Sequence, residues 1–185
     1  DGLVSGLTSR YPDTIRPALE IIGVREGVRR AAGMHLVIQN SGVRLLADTT
    51  INVDPDAETL AEIAVLAADA AVQLGLSPRV AMLSFSSFGS APHPCTRKVA
   101  KAAALVREAR PDVEVEGEIQ ADVALGSARE RYPFSALSGP ANVLVFPNLD
   151  AGNIAYKLLQ QSDDTDVVGP IVLGMRKPVA LLSPG

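Results

Sequence analysis

The chain has 185 residues, 47% of them hydrophobic, 21% charged and only 4% aromatic, a balance that builds a core and excludes disordered or collagen-like structure. Seventeen Lys and Arg against 21 Asp and Glu leave a formal net charge of −4, with no basic run, which argues against a nucleic-acid groove. The longest apolar stretches are strand-sized, so no membrane span is expected, and the single cysteine, Cys95, cannot close an internal disulfide and points to a reducing, cytoplasmic setting.

Apolar periodicity then divides the chain into alternating helices and strands. Residues 11–22 read as a first helix, with Pro17 speaking against its interior. Residues 34–39 and 43–48 read as strands joined through Asn40, Ser41 and Gly42, a hairpin. A long helix should run from Pro55 or Asp56 to Leu74, with Asp54 as N-cap, Pro55 at the first helical position and Gly75 as the stop. Leu60, Ile63, Ala64, Ala67, Ala71 and Leu74 share one face of it. Residues 80–85 form a short apolar run expected as a buried strand, and residues 96–110 a second long helix halted by Pro111. A strand from Val113, a short helix over 122–128, a strand over 142–146, a helix over 151–161 and a strand over 167–173 follow, before a Pro-rich tail. Strand followed by helix, repeated, implies an α/β fold with a mostly parallel sheet and right-handed crossovers. The runs 80–85, 142–146 and 167–173 are expected at its centre.

In such a sheet ligands bind outside the carboxyl ends of the strands, which singles out the segments 84–90, 117–122 and 147–153. The first, Ser84-Phe85-Ser86-Ser87-Phe88-Gly89-Ser90, offers hydroxyls, a glycine and backbone amides before a helix, an anion-friendly combination. It lacks the GxxxxGKS/T spacing of a nucleotide loop, and taken alone a polar connection is the simpler reading. Arg97 and Lys98 stand at the start of the next helix, against its dipole; a bound anion would offset that cost, although solvated charge is the commoner reason. Glu118 and Asp122, four apart, could share a helical face and do acid–base work, or simply occupy a helix start. His35 in the hairpin reads as structural. His93 and Cys95 are too few for a metal site, Cys95 has no general-base partner, and no Ser/His/Asp triad is traceable. The residues alone therefore assign neither a catalytic group nor a metal site.

Several blocks resemble the phosphate acetyl/butyryltransferase family. They are Asp1-Gly2-Leu3-Val4-Ser5-Gly6, Thr14-Ile15-Arg16-Pro17-Ala18-Leu19, Ala47-Asp48-Thr49-Thr50, the Ser84 to Ser90 block, Glu116-Gly117-Glu118-Ile119-Gln120-Ala121-Asp122, Phe146-Pro147-Asn148-Leu149-Asp150-Ala151-Gly152-Asn153, Gly169-Pro170-Ile171 and Gly174-Met175-Arg176-Lys177-Pro178. Their order matches over essentially the whole chain. The stretch from Ser84 to Lys98 is similar to one branch, the C-terminal domain of large bacterial NADP-dependent malic enzymes. The resemblance implies a three-layer α/β/α, phosphotransacetylase-like fold (isocitrate/isopropylmalate dehydrogenase-like architecture) with two subdomains, the first incomplete. Residues 1–25 and 170–185 would be pieces of the first subdomain, and residues 26–169 the second, inserted one, carrying the dimer contacts. An opening at Asp1 without Met fits a piece of a longer chain.

Family members bind coenzyme A and acetyl phosphate in a cleft. The resemblance places Arg16, Ser84, Ser86, Ser87, Gly89, Ser90, Lys177 and Ser183 in that ligand site. It also exposes departures: Ser183 is kept, but Pro184 stands where the family has an arginine, the Asp used as base a few residues later is not reached, and Gln161 stands where the family has a second arginine. Neither replacement supplies a permanent bidentate cation. If each such charge is worth roughly 10²–10³ in rate, acetyl transfer is lost while binding survives. The implied function is a non-catalytic regulatory and oligomerisation domain of an NADP-dependent malic enzyme, binding acetyl-CoA as an allosteric inhibitor. It would be a homodimer or higher homo-oligomer, attached to the N-terminal malic enzyme domains of the same chain, with no nucleic-acid or membrane partner. NADP and a divalent metal, Mg or Mn, would be held by the parent outside this segment. The alternatives are an active phosphate acetyltransferase and a ligand-free dimerisation domain.

Overall fold

The computed structural model describes residues 1–6 and 11–182. In chain order the elements are β1 (Leu3–Gly6), α1 (Tyr11–Ile21), β2 (Ala32–Gln39), β3 (Gly42–Ala47), α2 (Ala57–Gln73), β4 (Arg79–Leu83), α3 (Pro94–Ala109), β5 (Glu114–Ile119), α4 (Ala121–Leu125), α5 (Ala128–Arg131), β6 (Val143–Val145), α6 (Leu149–Gln160), β7 (Asp166–Leu173) and β8 (Val179–Leu182). The strands form one eight-stranded sheet in the order β1-β8-β7-β2-β3-β6-β4-β5. From β3 through β6 and β4 to β5 all pairing is parallel, the signature of βα units with helical crossovers. The β2–β3 hairpin is antiparallel, as the Asn40-Ser41-Gly42 turn demands. Antiparallel pairing continues through β7 and β8 before β1 pairs parallel to β8. The sheet is thus mixed, with a longer antiparallel stretch than the hairpin alone implied.

Helices cover both faces. On one, α2 and α3 bury Leu60, Ile63, Val99 and Val106 against Leu45, Val80, Met82 and Val143. On the other, α4 and α6 set Val123, Ala124 and Tyr156 against Leu46, Ala81, Ile119 and Leu144. A third cluster joins Ala18 of α1 to Val172, Met175, Val179 and Leu181, so the end of the chain packs on its beginning. Among the described residues no helix is long and apolar enough to cross a membrane.

Several boundaries differ from expectation, each for a physical reason. Asp56, not Asp54, caps α2, accepting from the Thr59 amide at 2.8 Å; Asp54 is drawn away by Lys98. Leu74 is the C-cap of α2 and half exposed, while the rest of the expected face is buried. Helix α3 begins two residues early because His93 caps it in a box with Thr96. Helix α6 begins at Leu149, capped by Asn148. Pro17 lies inside α1. The segment expected as a helix over 122–128 is divided into α4 and α5 around Gly126. The Pro-rich tail contains β8. The strands β4, β6 and β7 are all interior, as expected, yet the first half of β7 is only partly covered, with Val168 48% exposed.

Candidate functional site

The pairing directions bring the carboxyl ends of β3, β4, β5, β6 and β7 to one edge of the sheet, together with the starts of β1, β2 and β8. The loop after β3 is the centre of that edge. Asp48 is buried there and organises it through backbone amides. One carboxylate oxygen accepts from Gly33 (3.0 Å), Thr50 (2.8 Å) and Ile51 (3.0 Å), and the other from the Asn52 amide (2.9 Å). Such donors satisfy a buried carboxylate without a cation. The start of α6 is stitched to the same loop, Leu149 N donating to Val53 O and Asn153 Nδ2 to Thr49 O.

His35 lies behind this loop. Thr49 Oγ1 donates to Gly33 O at 3.1 Å, so it accepts from His35 Nδ1–H at 2.8 Å, which fixes the tautomer. The imidazole stacks on Tyr156 with centroids 3.9 Å apart. Burial, and secondarily the Lys157 ammonium, push its pKa down to about 4. His35 is a neutral structural residue at pH 7.

Two adjoining cavities open along the edge. One, of about 490 Å³, lies between Leu19 and Val24 on one side and Ile51 to Pro55 on the other, with Arg29 and Arg30 in its wall. The second, of about 630 Å³, is lined by Ser84, Phe85, Cys95, Lys98, Phe146 and Asn148 among others. Val53 and Asp54 line both and form the saddle between them. Lys98 Nζ bridges that saddle, donating to Asp54 Oδ1 (2.7 Å) and to Pro147 O (3.0 Å). It is thus a brace between loops, while Arg97 stays exposed.

The segment 84–90 is held from behind by β5 and the residue following it. Ser86 Oγ and the Gly89 amide donate to Glu118 Oε1 at 3.0 and 2.6 Å. Phe88 N donates to Glu118 O, and Ser87 Oγ donates to Gln120 Oε1 at 3.3 Å. Ser86 and Ser87 are buried, Ser84 partly buried, and Gly89 and Ser90 exposed. Phe88 carries a φ of 52°, in the left-handed region that bulky side chains avoid, and its ring packs on Tyr132 and Phe134. Glu118 and Asp122 do not share a helical face: Glu118 ends up in β5 and Asp122 in α4, because the strand runs to Ile119.

Of the remaining expected ligand residues, Arg16 is exposed on α1 one turn before Leu19, which lines the first cavity. Lys177 lines a separate cavity of about 280 Å³ with Arg25 and Arg176. It precedes β8, five strand positions from β4, hence about 24 Å from the segment 84–90 at ~4.8 Å per strand. Ser183 and Pro184 lie outside the described residues. Sequence reasoning passed over Arg29, Arg30 and Asp54 as site residues. The Arg29-Arg30 pair was visible as adjacent cations between α1 and β2, but Asp54 was spent on a cap. Among the described residues no three His, Cys, Asp or Glu side chains gather as a metal-ligand set.

Comparison with known proteins decides the family. The phosphate acetyl/butaryl transferase family model matches residues 1–185. The chain belongs to this family. It is 44% identical over 187 residues to the phosphate acetyltransferase of Bacillus subtilis, covering 100% of this chain and 58% of the relative. It is 41% identical over 187 residues to the NADP-dependent malic enzyme of Escherichia coli, covering 100% of this chain but 25% of that enzyme. The EutD phosphotransacetylase structure from Staphylococcus aureus superposes with a TM-score of 0.91 at 42% identity, over 100% of this chain and 58% of that one. The chain therefore spans somewhat over half the length of the transferases and a quarter of the malic enzyme.

Proposed function

We propose that this domain is the phosphotransacetylase-type module of an NADP-dependent malic enzyme, binding acetyl-CoA as an inhibitor without transferring the acetyl group. The observation that carries this reading is chemical. Gln161 and Pro184 stand where the resemblance expects arginines, and neither can stabilise the phosphate leaving group of acetyl transfer as a guanidinium does. The full-length match to a quarter of a malic enzyme agrees with it. The two-lobed groove, with Arg29 and Arg30 in the wall of one lobe and Ser84 and Lys98 in the wall of the other, offers a site for an extended anionic ligand. Homodimer formation, the two-subdomain division at residues 25/26 and 169/170, and cytoplasmic location belong to the same proposal, as do NADP and divalent-metal sites elsewhere in the parent.

An active phosphate acetyltransferase is the second reading, and the relatives favour it: the transferases are more similar to this chain and more of their length is covered. One experiment separates the two. The intact protein is assayed for acetyl-CoA formation from acetyl phosphate, and for malate oxidation with and without acetyl-CoA. The regulatory reading expects background transfer and acetyl-CoA inhibition relieved by Arg16→Ala. Turnover on the order of 10 s⁻¹ establishes the transferase instead.

A further inference from the structure

We propose that Glu62, on α2 and outside the groove, restrains the anion affinity of the first lobe by holding Arg29 back from it. This rests on the reading that the domain binds acetyl-CoA, and adds a residue that sets how tightly. Arg29 stands in the wall of two cavities at once. One is the lobe of about 490 Å³ that it shares with Arg30. The other, of about 670 Å³, is formed by the segment 25–29 with residues of α2 and α3, and is lined by Val28, Val65 and Leu105 and by the carboxylates of Glu58, Glu62 and Glu108.

Glu62 engages Arg29 twice. Its Oε1 accepts from the Arg29 amide at 2.9 Å, and its Oε2 lies 3.7 Å from Arg29 Nε, close enough for charge attraction but too far for a hydrogen bond. Among the described residues Oε2 is the one buried side-chain oxygen or nitrogen without a hydrogen-bond partner. A carboxylate oxygen taken out of water and given no donor is costly, and the Arg29 guanidinium is the cation that offsets the cost. The Glu62 side chain is only 16% exposed and fixed in place, whereas that of Arg29 is 62% exposed and has a long stem with many rotamers. An anion entering the first lobe therefore competes with Glu62 for one guanidinium. A phosphate that takes Arg29 leaves Oε2 buried without its cation, so part of the attraction is cancelled by that separation.

Isothermal calorimetry on the intact protein tests this with two probes, acetyl-CoA and inorganic pyrophosphate, on wild type, Glu62→Gln, Arg29→Ala and the double variant. Gln keeps an Oε1 that accepts from the Arg29 amide and removes only the charge, so the thermal midpoint should not fall. Glu62→Gln should bind both probes more tightly than wild type by about 2- to 5-fold, the span of a partly exposed ion pair. Arg29→Ala should weaken both, and Glu62→Gln should add nothing in that background. A merely structural Glu62 gives the opposite sign, because a loosened 25–29 segment binds more weakly. Affinity unchanged or lowered in Glu62→Gln overturns the proposal, as does an equal gain with and without Arg29, the mark of a charge acting at a distance. Acetyl-CoA binding by wild type with no gain in Glu62→Gln removes the role of Glu62 alone. A wild type that shows the whole pattern with pyrophosphate but does not bind acetyl-CoA removes the acetyl-CoA reading alone, and one that binds neither probe removes both.

Discussion

His35 should make this domain acid-sensitive by a calculable amount. Its imidazole is buried, stacked on Tyr156 and bonded through Nδ1 to Thr49, and its pKa falls from 6.5 to about 4 on folding. At pH 7 both the folded and unfolded forms are mostly neutral, so the full stability is present. As pH drops below 6.5 the unfolded chain takes up a proton that the folded chain refuses until about pH 4, and stability is lost across that window. The loss is about 2 kcal/mol by pH 5 and about 3 kcal/mol by pH 4, a large share of the stability of an ordinary domain. Urea unfolding of wild type and His35→Asn, measured from pH 8 to pH 5, isolates the effect. Asn retains a donor for Thr49 but does not titrate, so its stability curve should be flatter than wild type by about 2 kcal/mol over that range. Parallel curves for the two proteins would refute the reasoning, as would a His35 imidazole NMR signal titrating near 6.5.

Other substitutions test the scaffold of the site. Asp48→Ala strands the buried amides of Gly33 and Asn52 and the partly buried amide of Ile51 and should cost more than about 3 kcal/mol, read as a drop in urea midpoint. Leu60→Ala, at a position fully buried between α2 and the sheet, should cost about 2–5 kcal/mol by the same assay. Gly152→Ala would drive a methyl into the Asp48 carbonyl; backbone cannot yield as a side chain does, so the thermal midpoint should fall although alanine favours helix. Asp56→Ala should lower the thermal midpoint by removing the α2 cap, while Asp56→Asn, which also accepts from Thr59 N, should hold it.

The parallel half of the sheet was legible because its strands and helices carry long, unambiguous periodicities, α2 above all. What escaped was short or externally determined. β1 and β8 have four residues each, and β1 finds its partner, β8, at the far end of the chain, so no local window contains the reason it is a strand. The misplaced cap of α2 has a distant cause. Asp54 and Asp56 are equally good caps in sequence, and Lys98, 44 residues away, gives Asp54 other employment. Local sequence supplies the candidates; a distant side chain selects among them.

The segment 84–90 was legible in place and illegible in direction. The rule that ligands lie beyond strand carboxyl ends located the segment 84–90 correctly at the edge. Residue type, however, counts hydroxyls without saying where they point, and the partners of Ser86 and Ser87 lie 32 and 33 residues on. The first lobe of the groove has a more consequential geometry. Its walls are Leu19 and Val24 on one side and Ile51 to Pro55 on the other, segments that the family resemblance assigns to different subdomains. A ligand filling that lobe touches both at once, so its contacts are complete only when the two are in one relative arrangement. Differential affinity for two arrangements is what any allosteric inhibitor requires, and a coupling of about 1–3 kcal/mol corresponds to roughly 5- to 150-fold in affinity. On the proposed reading, this position between the two segments is what would let the domain inhibit a distant malate site without performing chemistry itself.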